Sequence, residues 1–244
     1  TLKCLGFIGF PIMMSALNIN GNNMKKARVI PHTSWAAKSL WSVEGKTMLM
    51  LLFALAILGI GDGLIVLANL GSSPWTVLSQ GVALQAGVSI GWASFWISCL
   101  VMLAWIPLKL RFGLGTILNI IVIAFFLGLT VKIVPEPTVL LSRILFGGIG
   151  LLLYGLGTAL YLTCHQGAGP RDGLMVGFCQ RLHLKVGIVR TSLEVSVCVL
   201  GYLLGGTVGI GTVVFAAAIG WIVQLCLNSI ARLPHLPYEG NNLN

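Results

Sequence analysis

The chain nearly repeats itself, without a gap, at an offset of 96 residues. When residues 55–130 are laid over 151–226, 16 of the 76 positions are identical and seven of those are glycine. Gly59-x-Gly61 returns as Gly155-x-Gly157, and Gly71-x-x-Pro74-x-x-x-Leu78 returns as Gly167-x-x-Pro170-x-x-x-Leu174. Gly91 returns as Gly187, and Gly113-x-Gly115-Thr116 as Gly209-x-Gly211-Thr212. An apolar chain produces chance matches, but chance does not set the same glycines and prolines at matching breaks between apolar runs. Two copies of one unit predict a pseudo-symmetric bundle.

Composition decides the solvent of that bundle. The chain is 57% hydrophobic and 9% charged, with a mean hydropathy of +0.95, whereas a soluble domain carries about 25% charged residues. Apolar runs of about 20 residues recur, the length that crosses a hydrocarbon core of about 30 Å. An all-α integral membrane protein follows. The net charge of +9 does not point to nucleic acid, because the basic residues gather at the ends of apolar runs, where they set topology. None of the six cysteines forms a CxxC pair and most lie inside apolar runs, so they read as small packing residues.

Six crossings are expected near 47–69, 90–108, 114–133, 142–164, 188–204 and 210–229. Between the first and second, and between the fourth and fifth, lie shorter segments, 74–87 and 170–183. At 1.5 Å per residue, about 13 residues cover only about 20 Å, so each is expected to be a short interfacial or re-entrant helix. Proline at the first turn suits both, because that N–H has no intrahelical partner. The expected organisation is an N-terminal extension and cytoplasmic basic tail (1–46), a first membrane repeat (47–134), a second (142–229) and a short cytoplasmic tail (230–244). Within the first part, residues 1–23 read as an upstream extension or a disordered tail, and Met24-Lys25-Lys26 as a natural start.

Charge gives the orientation. Lys25, Lys26, Arg28, Lys38 and Lys46 place the N-terminus inside, Lys109 and Arg111 return inside, and Arg232 ends inside. The segment 71–89 is uncharged and falls outside, whereas its twin, 167–190, carries Arg171, Arg181, Lys185 and Arg190 and falls inside. Of 14 basic residues from Lys25 onward, 12 are then cytoplasmic. Three crossings per copy is an odd number, so the second copy enters upside down, as in the inverted repeats of many secondary transporters.

Few residues could carry chemistry. The turns Gly71-Ser72-Ser73-Pro74-Trp75-Thr76 and Gly167-Ala168-Gly169-Pro170-Arg171-Asp172-Gly173 open the short helices. As helix starts they offer free N–H groups to an anionic or polar group; as loop punctuation they need no ligand. Asp62 lies inside the first crossing, where a charge costs about 2.5–3.5 kcal/mol and must face a partner, a cavity or water, or be protonated. The alternative is a polar contact between Gly59 and Gly63 that lets a helix approach. Arg190 and Glu194, spaced i, i+4 at one end of the fifth crossing, can form a structural ion pair, a gate or a proton-coupling site. The turns Gly113, Gly115, Thr116 and Gly209, Gly211, Thr212 cap helices, pack them or line a path. The Gly-x-Gly pairs at 59 and 155 lie within crossings, so they are not dinucleotide fingerprints. No catalytic set, metal spacing or cofactor motif is legible, and an enzyme is not expected.

Gly-Ala-Gly-Pro-Arg-Asp-Gly-Leu-Met at 167–175, Val189-Arg190-Thr191-x-x-Glu194 and the run from Gly205 to Thr212 together resemble the bacterial YczE/YyaS/YitT group of membrane proteins, in particular its YczE-like branch. The likeness covers about 47–229. Where members often carry Pro-Trp-Asp, this chain has Pro74-Trp75-Thr76. The resemblance implies a multi-pass protein of the bacterial inner membrane, and some members are linked to the output of secondary-metabolite synthases.

Two functions fit. In a small transporter or permease, two inverted units enclose a site built from Asp62, Gly71, Pro74, Trp75, Gly169, Pro170, Arg171, Asp172, Arg190 and Glu194, and rocking of one unit against the other gives alternating access to an unknown small molecule or ion. In an accessory protein or scaffold, the basic segment 167–190 holds a cytoplasmic protein partner such as a biosynthetic enzyme. Homo-oligomers are compatible with either, and the lipid bilayer surrounds both.

Overall fold

Each apolar run bounded by Gly or Pro forms a helix. The computed structural model describes residues 33–182 and 186–232, and these hold nine helices and no strand. They are α1 (Gly45–Ala68), α2 (Pro74–Ala86), α3 (Ile90–Leu103), α4 (Trp105–Leu108), α5 (Leu114–Ile133), α6 (Leu140–Thr163), α7 (Pro170–Leu182), α8 (Val186–Leu203) and α9 (Ile210–Ala231). The starts of α2, α3 and α5 return in α7, α8 and α9 at the same 96-residue offset. The expected tails at 1–32 and 233–244 lie outside the described residues.

Five segments are long and apolar enough to cross a bilayer: α1, α3 continued through α4 to Leu108, α5, α6 and α9. The sixth expected crossing, near 188–204, is α8; its apolar part, Thr191–Leu203, is shorter than the rest. Large apolar side chains such as Phe53, Trp96, Leu100, Phe125, Leu152 and Trp221 cover the outside. Such a surface is stable against lipid rather than water.

The centre is the crossing of α1 and α6, which glycine makes possible. A methyl group on Gly61 would lie 2.7 Å from the Gly150 carbonyl oxygen and 2.6 Å from the Tyr154 nitrogen. On Gly157 it would lie 2.8 Å from both the Ala54 oxygen and the Leu58 nitrogen. These are the same contact after a shift of 96 in each partner, so each copy presents the same surface to the other. Close backbone approach of this kind drives helix association where lipid removes any hydrophobic gain. Gly59 and Gly63 instead face α5, against Ile123, Phe126 and Thr130.

A second pair of reciprocal contacts locks the turns. The first N–H groups of a helix have no intrahelical partner, and leaving one unbonded in an apolar interior is costly. The Gly115 N–H at the start of α5 donates to the Gln166 carbonyl at 3.0 Å, and the Gly211 N–H at the start of α9 donates to the Leu70 carbonyl at 2.7 Å. The receiving turns reverse at Gly71 (φ 113°) and Gly167 (φ 114°), a backbone region that essentially only glycine adopts. Against them sit Thr212 and Thr116, and the Thr116 hydroxyl donates to the Ala168 carbonyl at 2.8 Å. The Gly-x-Gly-Thr motifs thus bind each copy to the Gly/Pro turn of the other.

One side carries an extra strap. Residues 33–44 run across the end of α6 and the start of α5: the Ala37 N–H donates to the Cys164 carbonyl (3.0 Å), the Leu114 N–H to the Leu40 carbonyl (2.9 Å) and Gln166 Nε2 to the Ser42 carbonyl (2.6 Å).

Candidate functional site

A cavity of about 220 Å³ lies where the two copies meet, with every described helix except α4 contributing to its wall. The starts of both short helices open onto it. Ser73, Pro74 and Trp75 come from α2 and its cap, and Gly169, Pro170, Arg171 and Asp172 from the start of α7. The α2/α8 and α7/α3 packings seat each short helix against the other copy. Its first turn is thereby carried inward to the centre of the bundle.

On the first copy's side the focus is Asp62, only 1% exposed. The Thr76 hydroxyl donates to its carboxylate, at 2.9 Å from Oδ1 and 3.1 Å from Oδ2. Ser73 Oγ lies 2.6 Å from the Thr76 hydroxyl and caps α2 by accepting from the Thr76 N–H at 3.3 Å. A hydroxyl has one proton to give, so with Thr76 donating to Asp62 the chain runs Ser73 to Thr76 to Asp62. It ends on a carboxylate beside the positive end of α2, a favourable place for negative charge.

On the second copy's side Tyr161 donates its hydroxyl to Asp172 Oδ2 at 3.1 Å, which ties α6 to the first turn of α7. Arg171 reaches across: its guanidinium carbon stands 5.4 Å from the centroid of the Trp75 ring, within cation–π range. Arg171 and Asp62 line the same cavity. Glu194 lines the wall from α8, and Ser94 and Ser98, the twin of Glu194, line it from α3.

Asp62, Pro74, Trp75, Gly169, Pro170, Arg171, Asp172 and Glu194 therefore come together around one space. Gly71 stands apart, behind the α2 start, against Gly209 and Thr212. The Arg190 side chain, and with it the expected pairing with Glu194, lies outside the described residues. Gly113, Gly115, Thr116, Gly209, Gly211 and Thr212 do not line the cavity; they bind the copies together. Asn119, Tyr154 and Tyr161 were not singled out from the sequence, and Thr76 was legible only as the end of its Gly/Pro turn, not as a partner of Asp62. No periodic signal links Thr76 to Asp62, 14 residues earlier, or Tyr161 to Asp172. Ser94 and Ser98 are legible in the sequence as the 96-residue twins of Arg190 and Glu194, though not as part of the lining.

Chemically, the site offers carboxylates, hydroxyls, one described guanidinium and aromatic faces, enclosed by apolar helices. Such a lining orients and neutralises a small polar solute.

Residues 45–228 match the model of a family of unknown function, DUF6198. An uncharacterized protein of Haemophilus influenzae is 71% identical over 215 residues, which cover 88% of this chain and 99% of that protein. The uncharacterized membrane protein YczE of Bacillus subtilis is 29% identical over 166 residues, 67% of this chain and 77% of that protein. YyaS, an uncharacterized protein of the same organism, is 28% identical over 185 residues, 72% of this chain and 90% of that protein. No solved structure matches the chain. With a membrane protein among its relatives and five helices fit to cross, the chain is a multi-pass membrane protein in contact with the lipid bilayer.

Proposed function

The chain belongs to the family of unknown function DUF6198, and from that premise we propose that it is a small-solute carrier of the bacterial inner membrane rather than an enzyme, with both termini cytoplasmic. Its plan is six crossings as two inverted three-helix repeats. The reciprocal contacts support a pseudo-two-fold relation, in which residue i of one copy meets j of the other and j meets i. With α8 as the sixth crossing, its 18 residues reach about 27 Å. Each copy then has three crossings and the two-fold axis lies in the membrane plane.

The observation that carries the carrier reading is the cavity between the copies, lined by both short-helix starts and the buried Asp62. A site at a repeat interface, built from helix ends, is the arrangement that alternating access requires. The α1/α6 crossing at Gly61 and Gly157 is the natural pivot, since there the backbones of the two copies approach most directly. The volume lies below the roughly 300 Å³ of the smaller drug-sized pockets, so the solute is small. The accessory-protein reading draws on the basic segment 167–190, yet there Arg171 turns into the cavity and Arg181 donates to the Pro107 carbonyl at 3.2 Å.

Reconstitution in liposomes tests the proposal. The wild-type chain is expected to move at least one member of a panel of small amines, organic acids and neutral solutes. Asp62→Asn should cut that flux by about tenfold or more, the loss of a charged contact worth about 1.5–3 kcal/mol, with an unchanged gel-filtration profile. A wild-type protein that moves nothing, and whose melting temperature no panel member shifts, overturns it.

A further inference from the structure

Resting on the carrier reading, we infer that the cavity takes a small organic cation, an amine or a guanidine, in the place that the Arg171 side chain holds. That place is already an occupied cation site. The Arg171 guanidinium lies over the Trp75 face at 5.4 Å, in the cavity that Asp62 also lines. An aromatic face against the charge, with a buried carboxylate lining the same cavity, is the chemistry that recognises quaternary and primary amines and guanidines.

The alternative, an anionic solute held by the two helix starts, meets carboxylates already in place. At α2 the chain supplies Asp62, bound through Thr76, and at α7 it supplies Asp172 in the first turn. Against these two carboxylates the described lining sets one cation, Arg171. A solute anion would add to that negative charge, in an interior where like charges repel strongly. A solute cation would balance it.

Arg171 is thus a tethered competitor. It lines the cavity from the first turn of α7, on a long side chain with many rotamers. Entry of a cation displaces it from Trp75, and departure of the cation lets it return. The exchange keeps the number of positive charges around Asp62 constant through the cycle, so the empty carrier never holds a bare buried carboxylate.

Methylguanidinium, the head group of Arg171 without its tether, is the probe, and acetate is the anionic control. Binding to the full chain in detergent micelles is measured by calorimetry. Arg171→Ala is expected to bind methylguanidinium about tenfold tighter than wild type, the free energy of a desolvated cation–π contact. Adding Trp75→Leu should remove most of that gain, and acetate should bind neither protein. Arg171→Gln, with the same readout, replaces the alanine variant if the latter does not elute as a folded species. A folded Arg171 variant with no gain for methylguanidinium overturns the inference, as does acetate binding by wild type that the variant loses. The liposome panel separates the two proposals. If wild type carries only acids or neutral solutes, the carrier reading stands and the cation inference falls. If methylguanidinium binds as expected and nothing is moved, the site stands and the carrier reading falls.

Discussion

Trp75 and Arg171 occupy the same position in the two copies, 96 residues apart, and they face each other, with the guanidinium carbon 5.4 Å from the ring centroid. In a two-fold arrangement only residues beside the axis meet their own counterparts. The stacked pair therefore marks the point where the copies converge, and the cavity surrounds it. Two arginines here would repel, and two tryptophans would leave Asp62 without a nearby cation. Divergence of one twin position is what lets a symmetric scaffold hold a polar centre.

The hydrogen bond from Thr76 to the buried Asp62 should be measurable as a coupling. Thr76→Val removes the donor at nearly constant volume, and a bond to a charged acceptor contributes about 1.5–3 kcal/mol. Equilibrium unfolding in mixed micelles should show a loss of about 2 kcal/mol for Thr76→Val. The loss should shrink by more than about 1 kcal/mol when Asp62→Asn is already present, because the carboxylate that needed the donor is gone. Strict additivity of the two substitutions would mean that the two groups do not interact.

Alanine substitutions should sort the glycines of α1 and α6 by what faces them. Gly61→Ala and Gly157→Ala each drive a methyl group onto opposing backbone, which cannot yield like a flexible side chain. Each should cost about 1–3 kcal/mol, as overpacking does. Gly148→Ala, on α6 with nothing within 4 Å of the added methyl, should be neutral or stabilising by up to about 1 kcal/mol. Melting temperatures of the three variants in one detergent provide the comparison. Equal effects would remove the crossing from the account.

The same contrast explains what the sequence made legible. Gly61 and Gly157 stand out because the opposing backbone comes too close for a side chain, and Gly71 and Gly167 because their positive φ suits essentially glycine alone; neither demand depends on the identity of a neighbouring side chain. Their requirement is therefore written at a single position and recurs in both copies. Asp62, Arg171 and Asp172 stand out because each charge is costly within apolar surroundings. Partnerships are another matter. Thr76 is an ordinary small polar residue until the fold sets it beside Asp62, and Tyr161 until α7 starts beneath it. The Gly-x-Gly-Thr turns show the reverse. Their pattern was visible, but their partners, Leu70 and Gln166, lie in the opposite copy, and no spacing within one copy could reveal that exchange.

The copies also trade volume across equivalent contacts. Gly173 of α7 lies under the Trp105 ring, and a methyl group there would overlap it. At the twin contact Val77 of α2 meets Gly201 of α8. Trp105 is 2% exposed and its Nε1–H donates to the Pro170 carbonyl at 3.0 Å, the partner a buried indole needs. Trp105→Gly should cost about 3–5 kcal/mol, the scale of emptying an aromatic site, and Gly173→Val should be destabilising by overpacking. The double variant rebuilds the Val77/Gly201 arrangement and should be more stable than the sum of the single losses by more than about 1 kcal/mol. It should stay below wild type, because the bond to Pro170 is not restored. Additive losses would show that the two contacts are not interchangeable.

Orientation of the copies is open to direct labelling. Ser89 ends the exposed loop between α2 and α3, and Arg181 is exposed near the end of α7. If the repeats are inverted, these two sites face opposite sides of the membrane. In a background with the native cysteines replaced, Ser89→Cys should react with a membrane-impermeant maleimide in intact spheroplasts, and Arg181→Cys only after permeabilisation. The uncharged first loop and the basic second one give this prediction its sign, since Lys and Arg are retained on the cytoplasmic side. Labelling of both sites from the same side would make the repeat parallel. The two short helices would then enter from one side, and alternating access by rocking about Gly61 and Gly157 would lose its geometric basis.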